Sequence, residues 1–363
     1  MVTRTQLNYI DWGLIVLLII NSLIGIAVIY SSSHHLMGNY AFKQFMWLLV
    51  SLGAIFILIS FDYNILVTYS SYLYIVCLIL LGSTLIFGNL ISGAKSWIKL
   101  PFFQIQPSEI TKIVLILLLS RTFSEFKGRS IKIIHGLTSV AAVCVPFLIV
   151  AIQPDLGTAT SYIFILAGAV LLAGINKKIL ILFLIAAIVF GFLGWNFFLK
   201  DYQRMRVKTF LFPEKDPLGV GYHIIQSKIA IGSGGLLGKG YLKGTQSQLR
   251  FLPARHTDFI FSVIGEEFGF IGVALVLIVY FLFLARIFRS VGKARDRAGV
   301  YIIFMVAVLL SSQFLINVLM TIGLFPITGI PLPFISYGGS SLLTNSLAVG
   351  LILNIKMRRF VNL

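Results

Sequence analysis

The 363-residue chain is 58% hydrophobic and only 11% charged, with 29 Lys and Arg against 12 Asp and Glu and a formal net charge of +17. Ordinary globular proteins are about 45–50% apolar and roughly a quarter charged, so this composition, with a mean hydropathy of +0.98, excludes a soluble globular domain and predicts a polytopic membrane protein. The positive balance points to membrane head groups or phosphate-bearing ligands, and no nucleic-acid partner is expected.

A membrane-crossing helix needs about 20 apolar residues. Ten stretches qualify, at roughly 11–30, 45–61, 64–88, 108–122, 135–152, 158–174, 178–199, 259–285, 299–322 and 338–355. The first has a polar lead with Arg4 but no small-residue cleavage site, so it reads as a retained helix, not a removed signal peptide. The only cysteines, Cys77 and Cys144, lie in apolar runs and suggest neither a disulfide framework nor a metal cluster. Lys and Arg concentrate in cytoplasmic loops. Placing the N-terminus inside puts fifteen basic residues on the inner side and leaves only Lys43, Lys95 and Lys99 in the short outer loops, so both termini are expected in the cytoplasm.

Gln106-Pro107-Ser108-Glu109 opens the fourth span, with Ser108 expected as a helix cap and Glu109 spaced to pair with Lys112 one turn on. Gln153-Pro154-Asp155 joins the fifth and sixth spans, and Asp155 reads equally as turn residue or cap. Residues 200–257 form a long outer loop with ten basic residues against three acids. This excess suits either anionic lipid head groups or a specific phosphate-bearing substrate. An apolar helical stretch near 224–231 precedes Gly232, Gly234, Gly235, Gly238, Gly240 and Gly244, with Lys239 and Lys243 among them. Such a run makes either an anion-binding concavity or a set of tight turns, and it matches no P-loop or dinucleotide fingerprint.

The stretch from Gly244 to Gly269 sets acids at the edge of an apolar span. Asp258 reads either as a helix cap or as a base among Arg250, Arg255 and His256, taking a proton from a hydroxyl while cations hold a leaving phosphate. Glu266 and Glu267, as neighbours, point about 100° apart on a helix and cannot share one partner. Glu266, eight positions beyond Asp258, is expected near the same face. Before the last span, Pro326, Pro331 and Pro333 forbid a continuous helix, and Ser336, Gly338, Gly339, Ser340 and Ser341 follow. Irregular backbone at membrane depth is tolerated only inside protein or beside a watered cavity.

The motifs GAKSWI (93–98), QPSE (106–109), QPDLGTA (153–159), TDFIFSVIGEEFG (257–269) and above all PITGIPLPFISYGGSS (326–341) closely resemble the SEDS proteins of shape, elongation, division and sporulation, over about 11–360. The resemblance implies an all-α polytopic membrane protein, a single domain of ten helices with a large extracytoplasmic loop between the seventh and eighth. It further implies a peptidoglycan glycosyltransferase that polymerises lipid II, the undecaprenyl-pyrophosphate-linked disaccharide-pentapeptide, at the outer face of the membrane. The family's essential aspartate falls on Asp258, the implied base toward the acceptor sugar hydroxyl and a candidate ligand for a divalent cation, Mg²⁺ or Mn²⁺. Arg204, Arg206, Lys239, Lys243 and Arg255 are candidates for holding diphosphates. Lys95, Glu109, Lys112 and Asp155 match motifs lining the family's central cavity, and Glu266, Ser336 and Ser340 join the candidate substrate-binding set. Short tails suggest the elongation branch over the division branch. That branch implies a class B penicillin-binding protein transpeptidase and the rod-shape complex as partners. Two other classes stay open: a lipid II flippase, whose site would lie at the bilayer midplane, and a non-catalytic scaffold for the transpeptidase.

Overall fold

The computed structural model describes residues 9–35, 38–91, 94–99, 104–125, 133–174, 201–212 and 219–358. In chain order they form α1 (Trp12–Ser33), α2 (Tyr40–Ser60), α3 (Tyr63–Thr68), α4 (Ser70–Phe87), β1 (Asn89–Ile91), β2 (Ala94–Lys99), β3 (Gln104–Ile105), α5 (Pro107–Ser124), α6 (Ile133–Ile152), α7 (Leu156–Leu172), α8 (Asp201–Leu211), α9 (Val220–Ser233), α10 (Thr245–Gln248), α11 (Ile260–Val291), α12 (Arg297–Thr321) and α13 (Gly339–Met357). Five helices, α1, α2, α4, α11 and α12, are long and apolar enough to cross a membrane. They match the first, second, third, eighth and ninth expected spans. The apolar parts of α6 and α7 are shorter, α5 carries Glu109, Lys112 and Arg121, and α13 carries buried Asn345 and Asn354. The stretch expected at 178–199 lies outside the described residues.

The fold departs from a purely helical reading at one place. β1, β2 and β3 form a small antiparallel sheet, with Asn89 opposite Trp97 and Ile98 opposite Ile105. Residues 200–257 are also more than a loop, because they contain α8, α9 and α10. On α9, Ile224, Ser227, Ala230 and Ile231 recur at helical spacing; the first three are buried, and the helix packs against α11. Helix α12 is largely enclosed, packing on α5, α7, α11 and α13, while α13 lies along α2.

Acidic caps tie one end of the bundle together. Asp11 caps α1 by accepting from Leu14 N at 3.2 Å, and its carboxylate also takes Arg286 Nε at 2.6 Å and Lys356 Nζ. Asp296 caps α12 through Gly299 N at 2.9 Å and accepts from Tyr63 Oη at 2.7 Å. The first turn of α1, the C-terminal part of α11 and the last turn of α13 therefore meet at a single carboxylate.

At the opposite end, α11 is broken at Gly269, whose φ of 62° and ψ of −160° leave the helical region. The break frees the carbonyls of Glu266 and Glu267, which accept from Lys239 N at 3.0 Å and Gly240 N at 2.9 Å. Phe270 N and Ile271 N beyond it donate to Gly235 O and Leu236 O at 2.9 and 3.2 Å. The Gly-rich run is thus a set of turns whose backbone completes a broken helix. A side chain at Gly269 would strike Gly238 N and Leu236 O as well as straining the backbone.

Two predictions follow from these ties. Gly269→Ala should lower the thermal midpoint of the detergent-solubilised protein, a cost of about 1–3 kcal/mol, whereas Gly53→Ala, in α2 with open space around it, should leave the midpoint unchanged or raise it, since Ala exceeds Gly in helix propensity by about 1 kcal/mol. Equal effects at the two positions would contradict the account of the break. Asp11→Asn should cost about 1–3 kcal/mol by leaving Arg286 and Lys356 without their carboxylate; an unchanged midpoint would show that this contact does not hold the helix ends.

Candidate active site

Asp258 lies half-buried in a turn just before α11, and Phe259, not Asp258, occupies the N-cap position of that helix. A Cβ placed on Gly329 would sit 3.7 Å from Asp258 Oδ2, so the carboxylate faces the bare α-carbon of a glycine in the irregular segment 324–338. That segment is stitched to the turn carrying Asp258. Ser336 Oγ donates to Thr257 O at 2.6 Å and accepts from Leu332 N at 2.9 Å, and Tyr337 N donates to His256 O at 2.9 Å. From α2, buried Gln44 reads both edges of the segment, donating to Ser336 O at 3.1 Å and accepting from Gly338 N at 3.2 Å. From α12, the Asn317 amide donates to Asp258 O at 3.0 Å and to Ile330 O at 2.8 Å.

His256 stands beside this turn, its ring 4.8 Å from that of Tyr40 and 5.8 Å from that of Tyr337. Burial, and then the charge of Arg255, pushes its imidazole below the ordinary histidine range, so it is neutral at pH 7.

A second polar cluster adjoins the same segment. Asp155 is the N-cap of α7, accepting from Thr158 N at 3.0 Å and Thr158 Oγ1 at 2.8 Å, and Gln106 Nε2 donates to its Oδ2 at 2.7 Å. Of the two roles open to Asp155, the structure shows the cap. Ser108 corrects the expectation made for it. Gln106 occupies the N-cap position of α5 with Pro107 at the first helical position, and Ser108 Oγ is buried with no partner among the described residues. Glu109 and Lys112 form the expected pair, at 2.6 Å with both side chains buried. Ser340 Oγ donates to Gln104 O at 3.0 Å and accepts from Gln106 N at 3.3 Å. Gly157, two residues beyond Asp155, lets α7 come against the carbonyl of Thr328. Residues 328–329 therefore border both the first turn of α7, which Asp155 caps, and Asp258. Lys95 is exposed on β2.

The expectation that Glu266 shares a face with Asp258 does not hold, because Asp258 precedes the helix. Glu266 is fully buried and faces the loop, accepting from Gln246 N at 2.7 Å, Ser247 N at 3.0 Å, Thr245 Oγ1 at 3.2 Å and Lys239 Nζ at 2.9 Å. Glu267 points elsewhere and accepts from Ser31 Oγ at the end of α1 at 2.5 Å. Arg255 is buried and donates Nε to Ser32 O at 2.6 Å. Lys243 is exposed. Arg204 and Arg206 lie on α8, and the side chain of Arg206 is outside the described residues.

Gln44 and Asn317 were not singled out from sequence, although a signal existed. Asn317 and Gln313 are polar residues four apart within an apolar span, where such groups are costly and warrant attention.

The model of the cell cycle protein family FtsW/RodA/SpoVE matches residues 11–360. The peptidoglycan glycosyltransferase MrdB of Escherichia coli is 42% identical over 296 residues, covering 80% of this chain and 78% of that protein. The peptidoglycan glycosyltransferase RodA of Treponema pallidum is 33% identical, covering 96% of this chain and 98% of its own. Among solved structures, a chain from a peptidoglycan synthase complex that coordinates polymerization and crosslinking superposes with a TM-score of 0.82 at 33% identity, covering 97% of this chain and 99% of that one. This chain belongs to the FtsW/RodA/SpoVE family, the SEDS proteins.

Proposed function

We infer that the protein is a peptidoglycan glycosyltransferase of the elongation branch, polymerising lipid II into glycan strands during cell-wall elongation. Besides the kinship with MrdB and RodA, the observation that carries the reading is the placement of Asp258: a carboxylate at the end of the bundle, on a turn whose main chain is pinned to a proline-broken segment. In the reaction, Asp258 takes the proton of the acceptor sugar hydroxyl. The hydroxyl oxygen then bonds to the anomeric carbon of the lipid-linked strand, and the bond from that carbon to the diphosphate oxygen breaks. The electron pair leaves with polyprenyl diphosphate, whose charge falls to Lys243, Arg204 and Arg206. Lys239 and Arg255 hold the loop through Glu266 and Ser32. Lys95, Glu109, Lys112, Asp155 and Ser340 border the substrate cavity.

A Mg²⁺ or Mn²⁺ ion, when bound, would neutralise charge on the departing diphosphate. The donor set suits such a hard cation. Asp258 supplies one carboxylate, and Thr328 Oγ1, next to Gly329, is a buried oxygen with no partner among the described residues. Magnesium sites commonly combine one or two carboxylates with substrate phosphates.

The topology follows the same reading: ten spans, with both termini cytoplasmic. The clustering of Asp11 with Arg286 and Lys356 supports assigning that basic end to the cytoplasm, which leaves Asp258 and the 200–257 region outside. A class B penicillin-binding protein transpeptidase in the rod-shape complex is the proposed partner.

The test is polymerisation of lipid II by the purified chain with its transpeptidase, with and without Mg²⁺ or Mn²⁺. Asp258→Asn should cut turnover by about 10²–10⁴-fold while remaining folded, and chelation should abolish strand formation reversibly. Glycan strands from Asp258→Asn at a rate near that of wild type would remove it as the base. Absence of strands from wild type, with lipid II crossing a liposome bilayer instead, would restore the flippase.

A further inference from the structure

We propose that Asn317 is a positioning residue for Asp258, acting through the main chain; this rests on the reading of Asp258 as the base. The carbonyl of Asp258 stands just outside the ladder of α11, whose first acceptor is Phe259 O, bonded by Ser262 N at 3.0 Å and Val263 N at 3.4 Å. The same peptide is held at its other edge by the turn itself, Phe259 N donating to Ala254 O at 3.2 Å. The Asn317 amide fixes the carbonyl edge and joins it to the irregular segment, because one hydrogen goes to Asp258 O and the other to Ile330 O. Those two carbonyls flank the contact that matters, since Gly329, adjacent to Ile330, is where the Asp258 carboxylate abuts the irregular segment.

Asn317 is suited to this task by its setting. It is fully buried on α12, a helix packed against four others, so its donors are held by a regular element and not by a loop. Only a side chain with two hydrogens on one nitrogen can bridge two carbonyls in this way. Its remaining oxygen, Oδ1, is buried without a partner among the described residues, a cost to the fold that an apolar residue would avoid. Its amide is thus what joins it to the site. Ser336 ties the C-terminal part of the segment to the same turn, Gln44 ties that part to α2, and Asn317 bonds Asp258 itself.

The full-length chain with its transpeptidase is assayed on lipid II as Asn317→Ala, Asn317→Asp, Ser312→Ala and Asp258→Asn. Ser312 donates only to Leu309 O within its own helix, so its variant reports the loss of a buried hydroxyl from α12 alone. Both Asn317 variants should stay folded and lose kcat by about 100-fold, the effect of misplacing a reacting group by roughly 1 Å. KM for lipid II should stay within about twofold, and in Asn317→Ala, which adds no charge, the acid limb of the pH profile should keep its position, because the amide touches the main chain and not the carboxylate. Asn317→Asp tests the donors directly, since it keeps the shape of the side chain and removes its two hydrogens. Wild-type kcat in Asn317→Ala, a rise in KM without loss of kcat, an equal loss in Ser312→Ala, or failure of both Asn317 variants to fold would each overturn the proposal. Activity near that of wild type in Asp258→Asn would instead overturn the assignment of the base, whereas an inert Asp258→Asn beside a fully active Asn317→Ala would overturn only the role of Asn317.

Discussion

The constraint on which the rest of the structure depends is the satisfaction of backbone polar groups in a chain segment that cannot be helical. Pro326, Pro331 and Pro333 exclude a helix, and within a bilayer each unsatisfied backbone group costs several kcal/mol. The segment 324–338 meets this demand by borrowing partners: Gln44 from α2, Asn317 from α12, its own Ser336, and the carbonyls of His256 and Thr257. Two of these bonds, together with the second hydrogen of Asn317, also fix the turn that carries Asp258. The problem created by the prolines and the problem of holding the Asp258 carboxylate at one place therefore share a solution.

The break at Gly269 repeats this logic with the roles reversed. Here a helix is interrupted and a loop supplies the missing partners, through Lys239 N, Gly240 N, Gly235 O and Leu236 O. Once the loop is seated there, the two adjacent carboxylates serve different neighbours, Glu266 the start of α10 and Glu267 the end of α1. Buried charge in this protein is mostly committed to the fold. Lys239 is paired with Glu266, Lys112 with Glu109, and Arg255 with a main-chain carbonyl.

The broad outline was legible from residue patterns. Apolar stretches located α1, α2, α4, α11 and α12, and the spacing of Glu109 and Lys112 anticipated their ion pair. The reading failed where a residue's role is set by distant chain. Ser108 has the chemistry of a cap, but Gln106 and Pro107 open α5 one turn edge earlier. Glu266 is eight residues from Asp258, yet helical spacing says nothing once the helix starts at Ile260. The glycines of 232–244 look like a phosphate cradle because their amides are free in sequence; in the fold, two amides of this run, Lys239 N and Gly240 N, are taken by carbonyls of α11, which no local pattern announces. Gln44 and Asn317 escaped for the same reason, since their partners lie 292 and 59 positions away in the chain.

A glycosyl transfer of this kind asks two different things of its site. The base must be aimed within a narrow range of geometry, because proton removal and bond formation at the anomeric carbon are coupled in one transition state. The leaving diphosphate needs neutralisation, which tolerates movement, since Coulombic attraction varies slowly with distance. On the proposed reading the protein divides its residues accordingly. Asp258 sits on main chain held by Asn317 of α12 and by a segment tied to Gln44 of α2, whereas Lys243 is exposed on the loop seated at the Gly269 break. In such a division the cations can follow a departing lipid carrier while the carboxylate stays where the next acceptor will arrive, as repeated addition to a growing strand requires.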